Sequence, residues 1–261
     1  MYKLCSLFSS SSGNSTFIGN EHEGVLVDVG KNCKNLEISL KTAGLEASAV
    51  KAIFITHEHS DHICGLRVFA NRYNIPVYAS ERTLEYLDVA GHLNGDFPVY
   101  SISDYADVGD FHIETFKTSH DVVDSHCYSV ILPNLDKFSV VTDTGVITDE
   151  TLDGILGSKA ILLESNHDIN MLNNGPYPYT LKRRILGPYG HLSNDTAAET
   201  TVKLLNSGTE HILLGHLSDH NNVLELAYQT TVSRLFMEGA ILGQDYTLEV
   251  AKKNDPTVFE V

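Results

Sequence analysis

Four side chains of the kinds that bind metal ions lie within six positions of one another, directly after an apolar run that predicts a buried strand. They are His57, His59, Asp61 and His62, and the apolar run covers residues 50–56. Because side chains of an extended segment repeat every two residues, His57 and His59 point to the same side. Asp61 and His62 follow where the chain must turn into a helix, so they can point into the same space. Such ligands suit divalent ions such as zinc, manganese and iron, whereas a hydrogen-bonded surface loop, the alternative, seldom has this spacing.

Three later apolar runs, each predicted to be a strand, end just before another ligand-type residue. These residues are His120, Asp143 and His216. Loops that follow strands cluster at one rim of a sandwich, so the three side chains can join the first four. A turn residue that ends a strand is the alternative for each of them. For His216 two other histidines compete, but His211 begins a strand and His220 lies further from the strand end.

The order of the predicted elements indicates an α/β fold. From residue 99 to residue 132 the pattern is predominantly β, and elsewhere strands alternate with helices. This order is typical of two mixed sheets that pack face to face and carry helices on their outer faces. A chain of 261 residues can form one large domain or two small ones. Since we find no linker, repeat or low-complexity tract, we expect a single domain over residues 1–261.

Composition and charge limit the cellular compartments and the binding partners that are consistent with this sequence. No apolar run approaches the ~20 residues that span a membrane, and the N-terminus lacks the pattern of a signal peptide. The four cysteines are far apart and form no C-x-x-C motif, which indicates reduced thiols in a cytoplasmic protein. A formal net charge of −16 weighs against a general nucleic-acid coat protein. It does not exclude a nuclease, whose site needs positive potential only locally.

Two further stretches are candidate substrate contacts. In this acidic chain a run of three cations, Lys182, Arg183 and Arg184, is a candidate contact for phosphate groups, although such a run is usually a solvated helix face. Ser193 and Asn194 precede a predicted amphipathic helix. Either residue can cap that helix, and both are candidate substrate contacts.

The segment H-x-H-x-D-H-x-x-G-L at residues 57–66 resembles the metal-binding signature of the metallo-β-lactamase superfamily, in the form found in ribonuclease Z and its relatives. A Ser-rich stretch at residues 9–14 and the later motifs E-S-N-H-D, Y-P-x-x-L-K-R-R-I-L, G-H-L-S-N and G-H-L-S-x-x-N-N look like the YycJ/WalJ-like branch. The Ser-rich stretch is either a simple turn or, by this resemblance, a loop at the edge of the active site. The resemblance implies a four-layer αβ/βα sandwich.

The same resemblance implies roles for particular residues. One metal ion would be bound by His57, His59 and His120. The other would be bound by Asp61, His62 and His216, with Asp143 bridging the two. Glu164 and His191 resemble the carboxylate–histidine pair that supports departure of the leaving group in ribonuclease Z. A histidine oriented by a carboxylate can hold a proton at neutral pH and deliver it, while a loop histidine beside a helix cap is the alternative for His191.

These roles predict a dinuclear phosphodiesterase. Two divalent ions about 3.5–4 Å apart can share a hydroxide and stabilise an in-line displacement at phosphorus. Asp61 would orient that hydroxide, and His191, held by Glu164, would protonate the departing oxygen. The resemblance implies an exonuclease that acts on DNA rather than RNA, with 5′ to 3′ as a candidate direction.

Several alternatives stay open. One is a small-molecule metallohydrolase acting on a cyclic phosphodiester, thioester or lactone, and another is a non-enzymatic regulatory protein with structural metals. Nitrogen and oxygen ligands admit zinc or manganese, with iron and nickel as further candidates. The sequence also leaves monomer and homodimer open.

Overall fold

The first sheet is built from the N-terminal third of the chain and its last strand. The structure is a computed structural model that describes residues 1–261. Seven strands form this sheet in the order β14-β1-β2-β3-β4-β5-β6. The strands are β1 Lys3–Ser10, β2 Gly13–Gly19, β3 Gly24–Val27, β4 Val50–Phe54, β5 Val77–Ala79, β6 Val99–Ser101 and β14 Thr257–Glu260. Strands β3 to β6 are parallel neighbours, whereas β14, β1, β2 and β3 pair antiparallel.

The second sheet also has seven strands, in the order β13-β12-β11-β10-β9-β8-β7. They are β7 Tyr105–Val108, β8 Phe111–Lys117, β9 His126–Ile131, β10 Lys137–Val141, β11 Ala160–Glu164, β12 His211–Gly215 and β13 Thr247–Val250. Strands β10 to β13 are parallel to one another. Because the carboxyl ends of parallel strands meet at one edge of a sheet, the residues that follow β10, β11 and β12 come together there.

Nine helices connect these strands. They are α1 Cys33–Thr42, α2 Ser60–Ile63, α3 Leu66–Tyr73, α4 Glu81–Val89, α5 Asp149–Ile155, α6 Ile169–Asn174, α7 Tyr179–Ile185, α8 Asn194–Asn206 and α9 Leu224–Met237. Local sequence sets several of their starts. Ser80 accepts a hydrogen bond from Thr83 N at the start of α4 and thereby satisfies a backbone donor that the helix leaves free.

Three buried apolar clusters separate the layers. The central one lies between the sheets and includes Phe54 and Val27 from the first sheet and Tyr128 and Leu162 from the second. A second cluster packs α1, α3 and α4 on the outer face of the first sheet. A third packs α5, α8 and α9 on the outer face of the second sheet. This arrangement of helix, sheet, sheet and helix confirms the predicted four-layer sandwich.

The Ser-rich stretch is a tight hairpin. Strands β1 and β2 run to Ser10 and Gly13, so only Ser11 and Ser12 form the turn between them. The hairpin reaches the rim where the two sheets present their strand ends, and Ser11 lines the cavity found there. The stretch is therefore both a turn and an edge of the candidate site. None of the nine helices combines the length and the apolarity needed to cross a membrane.

Candidate active site

The first ligand-type residues lie in the turn after β4, and a carboxylate after β3 fixes their geometry. Asp28 Oδ1 accepts from Thr56 N at 2.9 Å, and Asp28 Oδ2 lies 2.7 Å from His62 Nδ1. Thr56 Oγ1 lies 3.0 Å from His57 Nδ1. Each imidazole thus uses Nδ1 within the protein and presents Nε2 to the rim. Asp28 was not among the predicted site residues, although it follows an apolar strand as the other candidates do.

The turn is held against β3 by close backbone contacts. Val29 N donates to His62 O at 2.7 Å, and Gly65 N donates to Val29 O at 2.9 Å. A Cβ atom at Gly30 would lie 1.8 Å from Asp61 O, so only glycine permits this approach. The positions of Asp61 and His62 therefore depend on residues about 30 positions earlier in the chain.

Three of the predicted histidines form one group. The ring nitrogens of His57, His59 and His120 lie within 4.8 Å of one another. His120 Nδ1 lies 3.1 Å from Gly190 O, which again leaves Nε2 directed at the neighbouring rings. The loop after β8 thus brings its histidine to the turn after β4.

Asp143 lies between this group and two other histidines. Its Oδ1 atom is 3.7 Å from His120 Nε2, whereas its Oδ2 atom is 3.1 Å from His62 Nε2 and 3.3 Å from His216 Nδ1. Asp143 and His216 have φ angles of 56° and 54°, which non-glycine residues adopt at a cost and mostly at functional sites. The carboxylate is therefore placed to contact both groups.

Asp61 completes the predicted set and is held by a residue that sequence reasoning missed. Asp61 Oδ2 lies 3.5 Å from His62 Nε2. Asn14 Nδ2 donates to Asp61 Oδ2 at 3.2 Å and lies 3.1 Å from His62 Nε2. Asn14 comes from the Ser-rich hairpin, and no local signal distinguishes it from an ordinary turn residue. All seven predicted ligand residues are thus brought together at one rim.

The hydrogen-bonding of this cluster fits a divalent cation. Four buried atoms have no hydrogen-bond partner: His57 Nε2, His120 Nε2, Asp143 Oδ2 and His216 Nδ1. Leaving a buried polar atom unpaired costs about 1–3 kcal/mol, so four together at one point indicate a missing partner of positive charge. Burial lowers the pKa of His57 well below its usual value and also lowers the pKa of His120. Both rings are therefore neutral, which is the form that binds metal ions.

Glu164 and His191 form a close pair beside the cluster. His191 Nδ1 lies 2.7 Å from Glu164 Oε1. Glu164 Oε2 accepts from Thr144 N at 3.0 Å and from Leu192 N at 3.3 Å, so the carboxylate is fixed. Burial opposes protonation, but the charge and hydrogen bond of Glu164 outweigh it and raise the pKa of His191 to about 9. His191 is thus a protonated imidazole at neutral pH.

Most of the candidate metal ligands, together with His191, line one cavity of about 230 Å³. Its remaining walls come from the hairpin, from the loops after β11 and β12, and from α7 with the loop before it. The lining residues are Ser11, His59, Asp61, His120, Asp143, Asn166, Tyr177, Leu181, Arg184, Ile185, His191, His216 and Ser218.

Of the three predicted cations, only Arg184 lines this cavity. Its guanidinium forms a two-point ion pair with Asp121, in which Nη2 donates to Oδ1 at 2.7 Å. Lys182 Nζ instead donates to Asn173 O at 2.8 Å. Arg183 lies over the ring of Tyr179, outside the cavity. The three cations therefore have different contacts, and Arg184 is the one that can meet a ligand in the cavity.

Ser193 and Asn194 lie outside the cavity. Ser193 Oγ accepts from Thr196 N at 3.1 Å and caps α8. Asn194 is buried, and its Oδ1 accepts from Ser165 Oγ at 2.7 Å and from Asn222 Nδ2 at 2.8 Å. The capping alternative therefore describes Ser193, and Asn194 joins two loops below the rim. Their positions give no support to the predicted contact with substrate.

Comparison with known proteins gives consistent results. The chain is 38% identical over 259 residues to Exodeoxyribonuclease YycJ of Bacillus anthracis, with 97% of each chain covered. It is 35% identical over 249 residues to Exodeoxyribonuclease WalJ of Streptococcus pneumoniae, with 94% of this chain and 92% of that protein covered.

Solved structures share the fold at low sequence identity. The metallo-beta-lactamase fold protein YhfI of Bacillus subtilis superposes with a TM-score of 0.72 at 15% identity, with 99% of each chain covered. Zinc-bound PqqB of Methylobacterium extorquens gives 0.74 at 14% identity, with all of each chain covered.

The family model described as the metallo-beta-lactamase superfamily matches residues 10–216. That segment contains the turn after β4 and all three later strand ends. Since the match spans most of the chain and two relatives exceed 30% identity over nearly its full length, the chain belongs to the metallo-beta-lactamase superfamily.

Proposed function

We propose that this protein is a dinuclear metal-dependent phosphodiesterase that degrades DNA as an exonuclease. The observation that carries the proposal is the group of four buried, unpaired ligand atoms next to a protonated histidine. Bound metal ions can activate the attacking water, and a proton donor can assist departure of the alkoxide in hydrolysis of a phosphodiester. The DNA substrate is supported by the names of the two relatives, both exodeoxyribonucleases.

Two ions would divide the ligands around Asp143. One would be held by His57, His59 and His120, and the other by the remaining residues, Asp61, His62 and His216. The distances from the two oxygens of Asp143 to the two groups support a bridging role. Neutral imidazoles and carboxylates favour zinc or manganese, with iron and nickel as further candidates. When bound, such ions lower the pKa of water and stabilise negative charge on a phosphate.

Asp61 would orient the attacking water. Burial opposes its ionisation, but the hydrogen bond and charge of His62 outweigh this effect and lower the pKa of Asp61. The carboxylate is therefore ionised at neutral pH and can accept a hydrogen bond. Its side chain is 21% exposed and reaches the cavity, whereas Asn14 holds Oδ2 from the other side.

His191 would deliver a proton to the departing oxygen. Its Nδ1 is engaged by Glu164, so Nε2 carries the transferable proton. The ring lies 5.0 Å from the ring of His120 and 5.4 Å from that of His216, measured between centroids. The donor is thus close to the candidate ligands, where a bound phosphodiester would lie.

Arg184 would contact the phosphate backbone. Replacing it by alanine should weaken DNA binding and reduce the slope of log affinity against log salt by about one unit, because one phosphate contact is lost. Binding measured across a salt series tests this, with Arg67→Ala, an exposed cation on α3, as the matched control. If the salt dependence of DNA binding were the same in Arg184→Ala as in the wild type, the proposed contact between Arg184 and phosphate would be excluded.

The central test is hydrolysis of end-labelled DNA and RNA, single- and double-stranded, with each metal added in turn. We expect mononucleotides to be released from one end of DNA, and the labelled end that is lost first gives the direction. A small phosphodiester serves in the same assay. Rapid turnover of that compound with DNA left intact would favour the small-molecule alternative. Absence of hydrolysis in the metal-loaded protein would contradict the enzymatic proposal.

A further inference from the structure

One wall of the cavity has a chemistry that phosphodiester hydrolysis alone does not require. The candidate metal ligands in the lining are histidines and carboxylates, whereas another part of the lining presents Leu181 and Ile185 from α7 and Tyr177 from the loop before it. Tyr177 is the one phenol ring among the lining residues. A phosphate group and metal ions are charged and gain no favourable contact from apolar side chains, so this wall is suited to an apolar part of a ligand.

Tyr177 is held in place before any ligand arrives. It lies between Pro176 and Pro178, whose rings restrict the backbone on both sides. A Cβ atom at Gly175 would come within 2.7 Å of Met171 O, so this loop packs tightly on the end of α6. An aromatic side chain on a backbone fixed in this way loses little conformational freedom when it binds a ligand.

The Tyr177 ring is also supported by the loop after β12. The rings of Tyr177 and His220 lie nearly perpendicular, with centroids 5.8 Å apart, a common geometry for aromatic pairs. In the same loop Asn221 is fully buried, and its carbonyl oxygen accepts from Asp168 N at 2.8 Å. Two loops thus brace the ring at the cavity wall.

The cavity is also arranged for a nucleotide. Leu181, Arg184 and Ile185 share one face of α7, because residues three and four apart are neighbours on a helix. The same wall therefore offers a cation for a phosphate and apolar surface for a base.

We propose that Tyr177 stacks on the base of the terminal nucleotide and thereby positions the end of the DNA in the site. This inference rests on the proposed exonuclease function and names the part of the substrate that Tyr177 contacts. Aromatic stacking tolerates every base because each base has a π-face, so the site reads the presence of a base and not its identity. Tyr177 would be a positioning residue, since it contacts the base and not the reacting phosphate.

The test compares single-stranded oligonucleotides whose terminal nucleotide carries adenine or no base. For the wild type, removing the base should lower kcat/KM roughly 5- to 150-fold, which corresponds to the loss of one base–aromatic stack. Tyr177→Ala should show the same loss on the intact oligonucleotide and no further loss on the abasic one. Tyr177→Phe should behave as the wild type. Tyr179→Ala is the matched control, because this tyrosine is 74% exposed and lies outside the cavity.

Elemental analysis of each variant, together with its turnover of a small phosphodiester, verifies that the metal centre is intact. Equal slowing of Tyr177→Ala on both oligonucleotides would assign the residue a purely structural role and overturn the inference. Identical kinetics for Tyr177→Ala and the wild type would overturn it while leaving the exonuclease proposal in place. A wild type that binds metal and hydrolyses no DNA would instead remove the proposed function, and the stacking role with it.

Discussion

His57 lies on the side of the centre that the turn after β4 builds, His191 lies on the side that loops of the second sheet build, and the two are in opposite states of protonation. The side chain of His57 is fully buried with a hydroxyl, Thr56 Oγ1, at Nδ1, and burial lowers its pKa well below the usual value. His191 is also mostly buried, but Glu164 lies at its Nδ1 and raises its pKa to about 9. For these two imidazoles, the difference between a hydroxyl and a carboxylate at Nδ1 accounts for the opposite directions of the pKa shift.

The two sides also differ in how the chain builds them. Residues His57 to His62 come from a single turn that parallel strands β3 and β4 deliver to the rim. On the other side, Asp143 and His216 follow β10 and β12, and Glu164 is the last residue of β11. These three adjacent parallel strands are far apart in the sequence. The first side can therefore be recognised as a short motif, whereas the second requires the sheet. The predictions below separate the two roles, metal binding and proton delivery.

The largest effect is expected from Asp143→Ala, because Asp143 contacts both groups of ligands. We expect the loss of at least one bound ion and a fall in turnover of roughly 10³-fold or more, since both ions lose a ligand. Elemental analysis and hydrolysis of a small phosphodiester measure this. Asp153→Ala, which removes an exposed carboxylate from α5, is the matched control. A variant that keeps two ions and full activity would exclude Asp143 as the bridge.

His191→Ala should lower DNA hydrolysis while leaving the metal content unchanged. A general acid contributes about 10²–10⁴-fold, and we expect about 10²-fold here because the ions still activate the water. A p-nitrophenyl phosphodiester should be affected much less, since its leaving group needs no proton. The matched control is His22→Ala, at an exposed position far from the rim. Equal losses on both substrates, or loss of metal, would place His191 with the ligands instead.

Glu164→Gln should move the alkaline limb of the pH profile. In the proposed mechanism protonated His191 is the active form, so wild-type kcat/KM should fall as the pH rises through about 9, the raised pKa of His191. Without the carboxylate the pKa returns toward about 6.5, which lowers activity roughly 30-fold at pH 8. A pH series for both proteins measures the shift. The same alkaline limb in both would show that Glu164 does not control this proton.

Asp28→Asn should give the smallest change and should act on metal affinity. The substitution keeps the shape of the side chain but weakens the hydrogen bond that orients His62. Residues that hydrogen-bond to a metal ligand typically contribute 10- to 100-fold to metal affinity. We expect about 10-fold here because the amide oxygen of asparagine can still accept a hydrogen bond from His62. Competition with a chelator measures it. Unchanged metal affinity together with an altered pH dependence of activity would indicate that Asp28 affects proton delivery and not metal binding.

Much of the fold and site could be predicted from particular residues. The alternation of strands and helices predicted the four-layer sandwich, and apolar strands predicted that His120, Asp143 and His216 reach one rim. These predictions depend on local periodicity and on strand ends, which the sequence displays directly. Asn14 and Asp28 were missed because their hydrogen bonds join residues 47 and 34 positions apart.

The sequence by itself determined the turn that carries His57 to His62 and the strands that end before its partners, because side-chain period and chain direction are local properties. Only the tertiary structure decided the charge of His191, which depends on Glu164 some 27 residues away. It alone also placed Arg184 in the cavity and directed Lys182 and Arg183 elsewhere. Tertiary packing determines which face of a helix lines the cavity and which group hydrogen-bonds to a ring nitrogen. A run of similar residues in the sequence carries no information on either point.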